Sequence, residues 1–149
     1  MRAVIQRVSR ASVTVDGETT GEIGAGLLVL LGIHRDDGTK EIQWMVDKII
    51  NLRIFEDENG KMNYSLLDTG GAMLIVSQFT LYGDCRKGRR PGYSTAAPPE
   101  SAKNLYQQFI DSIKQKNIST SNGRFQAHMD VELVNDGPVT LLLDSSKLF

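Results

Sequence analysis

Asn135-Asp136-Gly137-Pro138-Val139-Thr140 lies near the C-terminus, between two apolar-rich runs at residues 131–134 and 139–143 that both read as β-strands. A proline cannot donate to a strand ladder, so Pro138 belongs at the entrance of its strand and not inside it. Glycine tolerates φ angles that other residues avoid, and X-Pro bonds alone adopt cis at low cost. A Gly-Pro step between two strands can therefore present main-chain oxygens in an unusual direction. Taken on its own residue types, the segment reads as a four-residue hairpin loop, 135–138, that returns the chain through a second strand.

Working outward from that loop, residues 1–16 alternate with apolar side chains on both faces, which predicts a long strand, central in a sheet and bent near Ser9-Arg10-Ala11. Asp16-Gly17 signals a hairpin returning through residues 19–23. Gly24-Ala25-Gly26 then feeds a buried strand at 27–33; because a strand and not a helix follows, it is no dinucleotide-binding loop. Asp36-Asp37-Gly38-Thr39 supplies helix-start chemistry, and Ile42, Met45, Val46, Ile49, Ile50 and Leu52 recur at helical spacing up to a stop near Asn51. Trp44 lies at the edge of that stripe. Arg53-Ile54-Phe55 reads as a short strand, and Glu56-Asp57-Glu58-Asn59-Gly60 as a solvated hairpin tip without calcium-loop spacing.

Residues 72–78 form a further buried strand ending in the polar pair Ser77-Gln78, and 83–91 a basic loop. A second helix starts at Ala96-Ala97-Pro98-Pro99-Glu100, with Ala102, Leu105, Tyr106, Phe109, Ile110 and Ile113 as its apolar stripe. Residues 119–123 read as loop and 124–134 as strand. Strands first, then two β–helix units, then strands again predict an α/β chain of the α+β kind: mixed sheets with two helices on one side, in a single domain.

Forty per cent hydrophobic and 23% charged residues place the chain among globular proteins, and its longest apolar run, residues 27–31, is too short to span a bilayer. No signal-peptide hydrophobic region is visible, and a lone cysteine, Cys85, excludes an internal disulfide and fits a reducing cytosol. The expectation is a cytoplasmic protein without a membrane partner. A net charge of −1 gives no overall attraction to nucleic acid, so any RNA contact must come from a local cluster. Arg86, Lys87, Arg89 and Arg90 form one.

Reactive groups are few. His34 and His128 stand far apart and outside any metal-ligand spacing, no Gly-x-Ser-x-Gly elbow occurs, and Cys85 has no histidine placed near it by sequence. Neither metal nor cofactor is expected. Thr80 is the hydroxyl that stands out, following the buried strand at Ser77-Gln78-Phe79, since strand ends are where α/β proteins place ligands. The same residues could equally satisfy nearby backbone groups.

Ser77-Gln78-Phe79-Thr80-Leu81, the Gly137-Pro138 segment and the opening Met1-Arg2-Ala3-Val4-Ile5-Gln6-Arg7-Val8 together resemble the D-aminoacyl-tRNA deacylases, the D-tyrosyl-tRNA deacylase family, across residues 1–145. The resemblance implies a three-layer β/β/α domain over residues 1–149, acting as a homodimer that hydrolyses the ester of D-aminoacyl-tRNA. It implies that Ser77, Gln78, Phe79 and Thr80 form the site for the 3′-terminal adenosine and the ester, with Phe79 and Thr80 N–H groups on the oxyanion. It implies a cis Gly137-Pro138 bond inserted into the other subunit's site, excluding L-residues by clash and admitting glycine. Arg7 would brace that motif, Ala102 would keep the site open, and Met129 would line it. Arg86, Lys87, Arg89 and Arg90 would contact tRNA phosphates. Gln126 and Gly92-Tyr93 depart from the usual pattern, which touches loop shape and not the two motifs. A non-catalytic RNA-binding module and a general esterase are the competing readings; the intact motifs weigh against the first and the missing serine elbow against the second.

Overall fold

A computed structural model describes residues 1–149. Its spine is strand β1 (Arg2–Val15), whose 14 residues are long enough to serve three neighbours. One edge pairs antiparallel along its whole length with β8 (Asp130–Asp144), from Arg2↔Asp144 to Thr14↔Asp130. The other edge pairs first with β3 (Gly26–Gly32) and then, past Val8, with β2 (Glu18–Ile23). β3 runs parallel to β6 (Ala72–Ser77), and β6 parallel to β7 (Thr120–Asn122). The Ser121 hydroxyl donates to the Glu22 carbonyl at 3.0 Å, so the far edge returns towards β2 and the sheet is barrel-like.

Two helices cover one side. α1 (Thr39–Asn51) starts at Gly38, where the Glu41 carboxylate accepts the Gly38 N–H at 2.9 Å. α2 (Leu66–Thr69) is one short turn capped by Ser65, and α3 (Pro99–Lys114) begins on its proline pair. β4 (Phe55–Glu56) and β5 (Met62–Tyr64) make a small separate hairpin.

Period-two alternation on strands apolar on both faces produces two cores. Ala3, Ile5, Leu27, Val29, Met73 and Ile75 point to the helices and meet Met45, Ile49, Phe109 and Ile113. Val8, Val13, Leu28, Leu74 and Val76 fill the inside of the curled sheet. The expected α/β architecture with two main helices on one side is what the chain adopts. No helix is long and apolar enough to cross a membrane.

The C-terminal third departs from the sequence-based expectation. Residues 135–138 are not a hairpin loop, because β8 never reverses: it pairs with β1 in one direction on both sides of the motif. Gln6 faces Thr140 and Val8 faces Asn135, so Asp136, Gly137, Pro138 and Val139 stand opposite Arg7 alone. The segment is a large bulge, which keeps Pro138 out of the ladder as a hairpin would. The expected loop at 119–123 contains β7, ordered by its parallel pairing with β6. The expected strand at 124–134 begins only at Asp130; before it the chain turns through Gln126 at φ 65°.

Candidate active site

Strand β6 ends at Ser77, and the chain at once tightens into a 3₁₀ turn, Phe79–Tyr82. The Gln78 N–H donates to the Leu31 carbonyl at 2.8 Å, tying the turn to the end of β3. Leu81 N–H closes on the Gln78 carbonyl and Gly83 N–H on the Thr80 carbonyl, at 3.2 and 2.9 Å. Phe79 and Thr80 are the first residues of this turn, so their N–H groups find no acceptor within it. Phe79 is 58% exposed, an unusual position for a large apolar ring, and meets the edge of Tyr93 at 5.0 Å between centroids. The Gln78 side-chain amide donates to the Thr80 hydroxyl.

Beside the turn opens a cavity of about 680 Å³, within the range that small-molecule and cofactor sites occupy. Its floor is the ends of the parallel strands β3 and β6, at Leu31, Ile33, Val76 and Ser77, the location favoured for ligands in parallel sheets. One wall is the first turn of α3, where Pro98, Pro99 and Ala102 face inward. The opposite wall is the turn before β8, including Phe125, His128 and Met129. No Asp, Glu, Lys or Arg lines it. The space is largely apolar, with Ser77, Gln78, Tyr93, Gln126 and His128 as polar points; it offers a ligand no carboxylate or lysine, and its one imidazole, His128, has its side chain 95% exposed and Nε2 3.8 Å from Asp130 Oδ1.

The second motif is built differently. Arg7 lies on the helix-facing side of β1, 4% exposed, an expensive place for a cation unless it is paired. Its Nη1 donates to the Ile54 carbonyl at 2.6 Å; Nε stands 3.1 Å from Asp136 Oδ2 without an aligned hydrogen bond, and Nη2 lies 3.8 Å from Glu56. Asn135 ties both ends of the bulge, its amide donating to the Arg7 and Val139 carbonyls at 3.0 Å each. The Gly137-Pro138 peptide is cis, and Gly137 has φ 114°. A side chain there would be strained by that φ and would place its Cβ 2.8 Å from Arg7 Nη2, so φ favours glycine and the guanidinium would have to shift for any Cβ.

The sequence-expected site residues thus fall into separate groups. Ser77, Gln78, Phe79, Ala102 and Met129 share the cavity, and Thr80 stands exposed at its edge, outside the lining. Arg7, Gly137 and Pro138 gather at the bulge and do not line the cavity of their own chain. Arg86, Lys87, Arg89 and Arg90 are all exposed, yet Arg86 is committed to Asp84 through Nε–Oδ1 and Nη2–Oδ2 contacts of 2.8 and 2.7 Å. The hydrogen bonds from the Arg86 side chain and backbone hold the Asp84 carboxyl well below the usual carboxylate range. His34 lies apart, its Nδ1 accepting the Asp36 N–H at 3.2 Å. Phe125 and His128 were missed as lining residues, since the segment carrying them read as strand; no periodicity marks such a wall.

The family model for D-Tyr-tRNA(Tyr) deacylase matches residues 4–144. The chain belongs to this family. Similar relatives include the D-aminoacyl-tRNA deacylases of Clostridioides difficile strain 630 and Thermosipho africanus strain TCF52B, each 64% identical over 149 residues and covering both chains completely. A solved structure described as c-Myc DNA unwinding element binding protein is 46% identical, covering 97% of this chain and 98% of its own, with a TM-score of 0.91. Another, described as a probable eukaryotic D-amino acid tRNA deacylase, shares the fold at a TM-score of 0.80 and 18% identity, over 95% and 97% of the two chains. Membership makes the chain an enzyme, a hydrolase.

Proposed function

We propose that this chain hydrolyses the ester joining a D-amino acid to the 3′-terminal adenosine of tRNA, releasing D-amino acid and free tRNA, in the cytoplasm and as a homodimer. The observation that carries the reading is the pairing of an uncharged, largely apolar cavity with an exposed, rigidly braced Gly137-Pro138 bulge that the chain's own cavity does not use. In the homodimer the bulge of one subunit enters the cavity of the other. Its main-chain oxygens meet the substrate α-amino group, so an L side chain collides with the bulge while a D side chain points to solvent. Glycine has nothing to exclude, and glycine mischarged onto tRNA(Ala) is then a substrate too.

The cavity is lined by no carboxylate or lysine, and its one histidine, His128, turns a 95% exposed side chain towards Asp130, which favours catalysis by position and main-chain dipoles. Water attacks the ester carbonyl, the Phe79 and Thr80 N–H groups take the developing oxyanion, and the ribose 2′-hydroxyl helps move the proton to the departing 3′-oxygen. The Thr80 hydroxyl hydrogen-bonds to the Gln78 amide, which is no base, so it is ill placed as a nucleophile. Thr80→Ala should therefore keep most activity; a complete loss in a folded variant would make Thr80 the nucleophile. Lys87, Arg89 and Arg90 supply phosphate contacts outside the cavity.

The deciding experiment sets D-Tyr-tRNA beside L-Tyr-tRNA, enzyme against buffer. Rapid loss of the D ester with the L ester intact is expected. Equal cleavage of both would remove the role of the bulge; cleavage of neither would remove the deacylase reading.

A further inference from the structure

The turn that carries Phe79 and Thr80 rests on little chain of its own, four residues closed by the Leu81 and Gly83 N–H groups on the Gln78 and Thr80 carbonyls, and something outside must hold it. Gly32, at the end of β3, lies directly beneath: a Cβ added there would stand 3.0 Å from the Gln78 carbonyl and 3.1 Å from Leu81 Cβ. Directly across from Gly32 on β1 is Arg2, whose other cross-strand partner is Asp144. The Arg2 guanidinium makes several contacts at once, one of them over the Phe149 ring at 5.8 Å to the centroid. Nε donates to Asp144 Oδ2 at 2.9 Å, Nη1 donates to the Leu81 carbonyl at 3.0 Å, and Cζ lies over the Tyr82 ring, 4.7 Å from its centroid. Asp144 is itself fixed, its side chain 2% exposed and its Oδ1 accepting the Ser146 N–H at 2.6 Å. A planar guanidinium can bridge, donate and stack together in a way an ammonium cannot.

We infer that Arg2, oriented by Asp144, is a positioning residue for hydrolysis: it clamps the last two residues of the turn against β1 and so fixes the direction of the Phe79 and Thr80 N–H groups. Arg2 touches no substrate. The inference rests on the proposed oxyanion role of that turn. Because donors must meet an oxyanion within a few tenths of an ångström, a loosened turn is expected to lower kcat while leaving KM almost alone.

Arg2→Leu alone would strand the buried Asp144 carboxylate and confuse folding with catalysis, so the variant to make is Arg2→Leu with Asp144→Asn. Asparagine keeps an oxygen for the Ser146 N–H and removes the unpaired charge. On D-Tyr-tRNA, kcat should fall about 10- to 100-fold with KM within about twofold, since misplacements near 1 Å cost on that scale. Amide hydrogen exchange at residues 79–83 should quicken while the helices stay protected. Arg2→Lys, retaining charge but not the fork, should recover only part of kcat. An unchanged kcat with unchanged exchange in a folded double variant would overturn the clamp alone. Wild-type enzyme that leaves D-Tyr-tRNA intact would overturn the oxyanion reading, and the clamp's catalytic role with it.

Discussion

The Phe79–Tyr82 turn and the Gly137-Pro138 bulge are both irregular backbone held by an arginine from β1, yet they are held in opposite ways. The turn has its arginine, Arg2, on the outside, with the side chain 28% exposed and the partner Asp144 buried. The bulge has Arg7 underneath, with the cation buried and its partners Glu56 and Asp136 more than half exposed. The turn opens onto a cavity in its own chain; the bulge residues do not line that cavity. A buried cation is costly, and here it supports a loop with no local ligand. On the proposed reading the cost is explained by rigidity needed elsewhere, in a partner's site, whereas the turn is held for a cavity in its own chain.

The comparison breaks first at the cavity. Ala102→Phe puts a ring into the space bounded by α3 and the β3 and β6 ends, without touching the bulge. It is expected to reduce kcat/KM on D-Tyr-tRNA by on the order of 100-fold or more, with little change in Tm. Near-wild-type turnover in a folded variant would mean that substrate does not use this cavity.

Arg7→Ala tests the other side. It removes the donor to the Ile54 carbonyl and leaves a hole beneath the bulge, while the stranded Asp136 and Glu56 remain in solvent. The cost should be about 2–4 kcal/mol, below that of a fully buried pair because the surviving charges stay hydrated. Urea unfolding measures it; a loss under about 0.5 kcal/mol would show that Asn135 alone keeps the bulge in shape.

How far each region could be read from sequence follows from where its information lies. Helices α1 and α3 and strands β1, β3 and β6 declared themselves through local periodicity, as did the Asp16-Gly17 turn, where both residues have positive φ. The bulge did not, because Asn, Asp, Gly and Pro suit a hairpin loop equally well. Whether the chain reverses is decided by pairing with β1, more than 120 residues away in sequence. β7 is Thr120-Ser121-Asn122, three polar residues with no alternation to detect; its neighbour β6 makes it a strand. The cavity had the same fate. Ser77 to Thr80 and Ala102 were legible as a motif and a small residue, but the Phe125–Met129 wall depends on a turn set by Gln126 at positive φ.

Beneath the cavity floor, Tyr106 donates from α3 to the Ile75 carbonyl at 2.8 Å, and burial pushes its hydroxyl pKa up. That carbonyl also accepts the Gly123 N–H at 3.1 Å, so it keeps a partner if the hydroxyl goes. Tyr106→Phe should then cost only about 1 kcal/mol and leave kcat/KM unchanged. A substantially larger loss would show that the hydroxyl, and not the ring, aligns α3 with β6 and so shapes the cavity.

The smallest effect concerns the basic loop, which shares neither arrangement: Asp84 and Arg86 are both exposed, and their pairing joins neither motif. Asp84 is held below its ordinary pKa by hydrogen bonds from the Arg86 side chain and backbone. A depressed carboxylate pKa means the pairing contributes fully above the unfolded value of about 4 and disappears as pH falls through the lower folded value. Titrating the Asp84 carboxyl by NMR should give a midpoint well under that of a free aspartate, returning towards it in Arg86→Ala. An ordinary midpoint in the wild type would mean the pair does not persist in water, as exposed pairs often do not. The distinction bears on RNA. While Asp84 engages it, Arg86 is a neutralised member of the cluster, leaving Lys87, Arg89 and Arg90 for the proposed phosphate contact. Asp84→Asn should then release Arg86 and steepen the salt dependence of tRNA binding by about one unit of slope. An unchanged slope would place the loop away from the phosphates altogether.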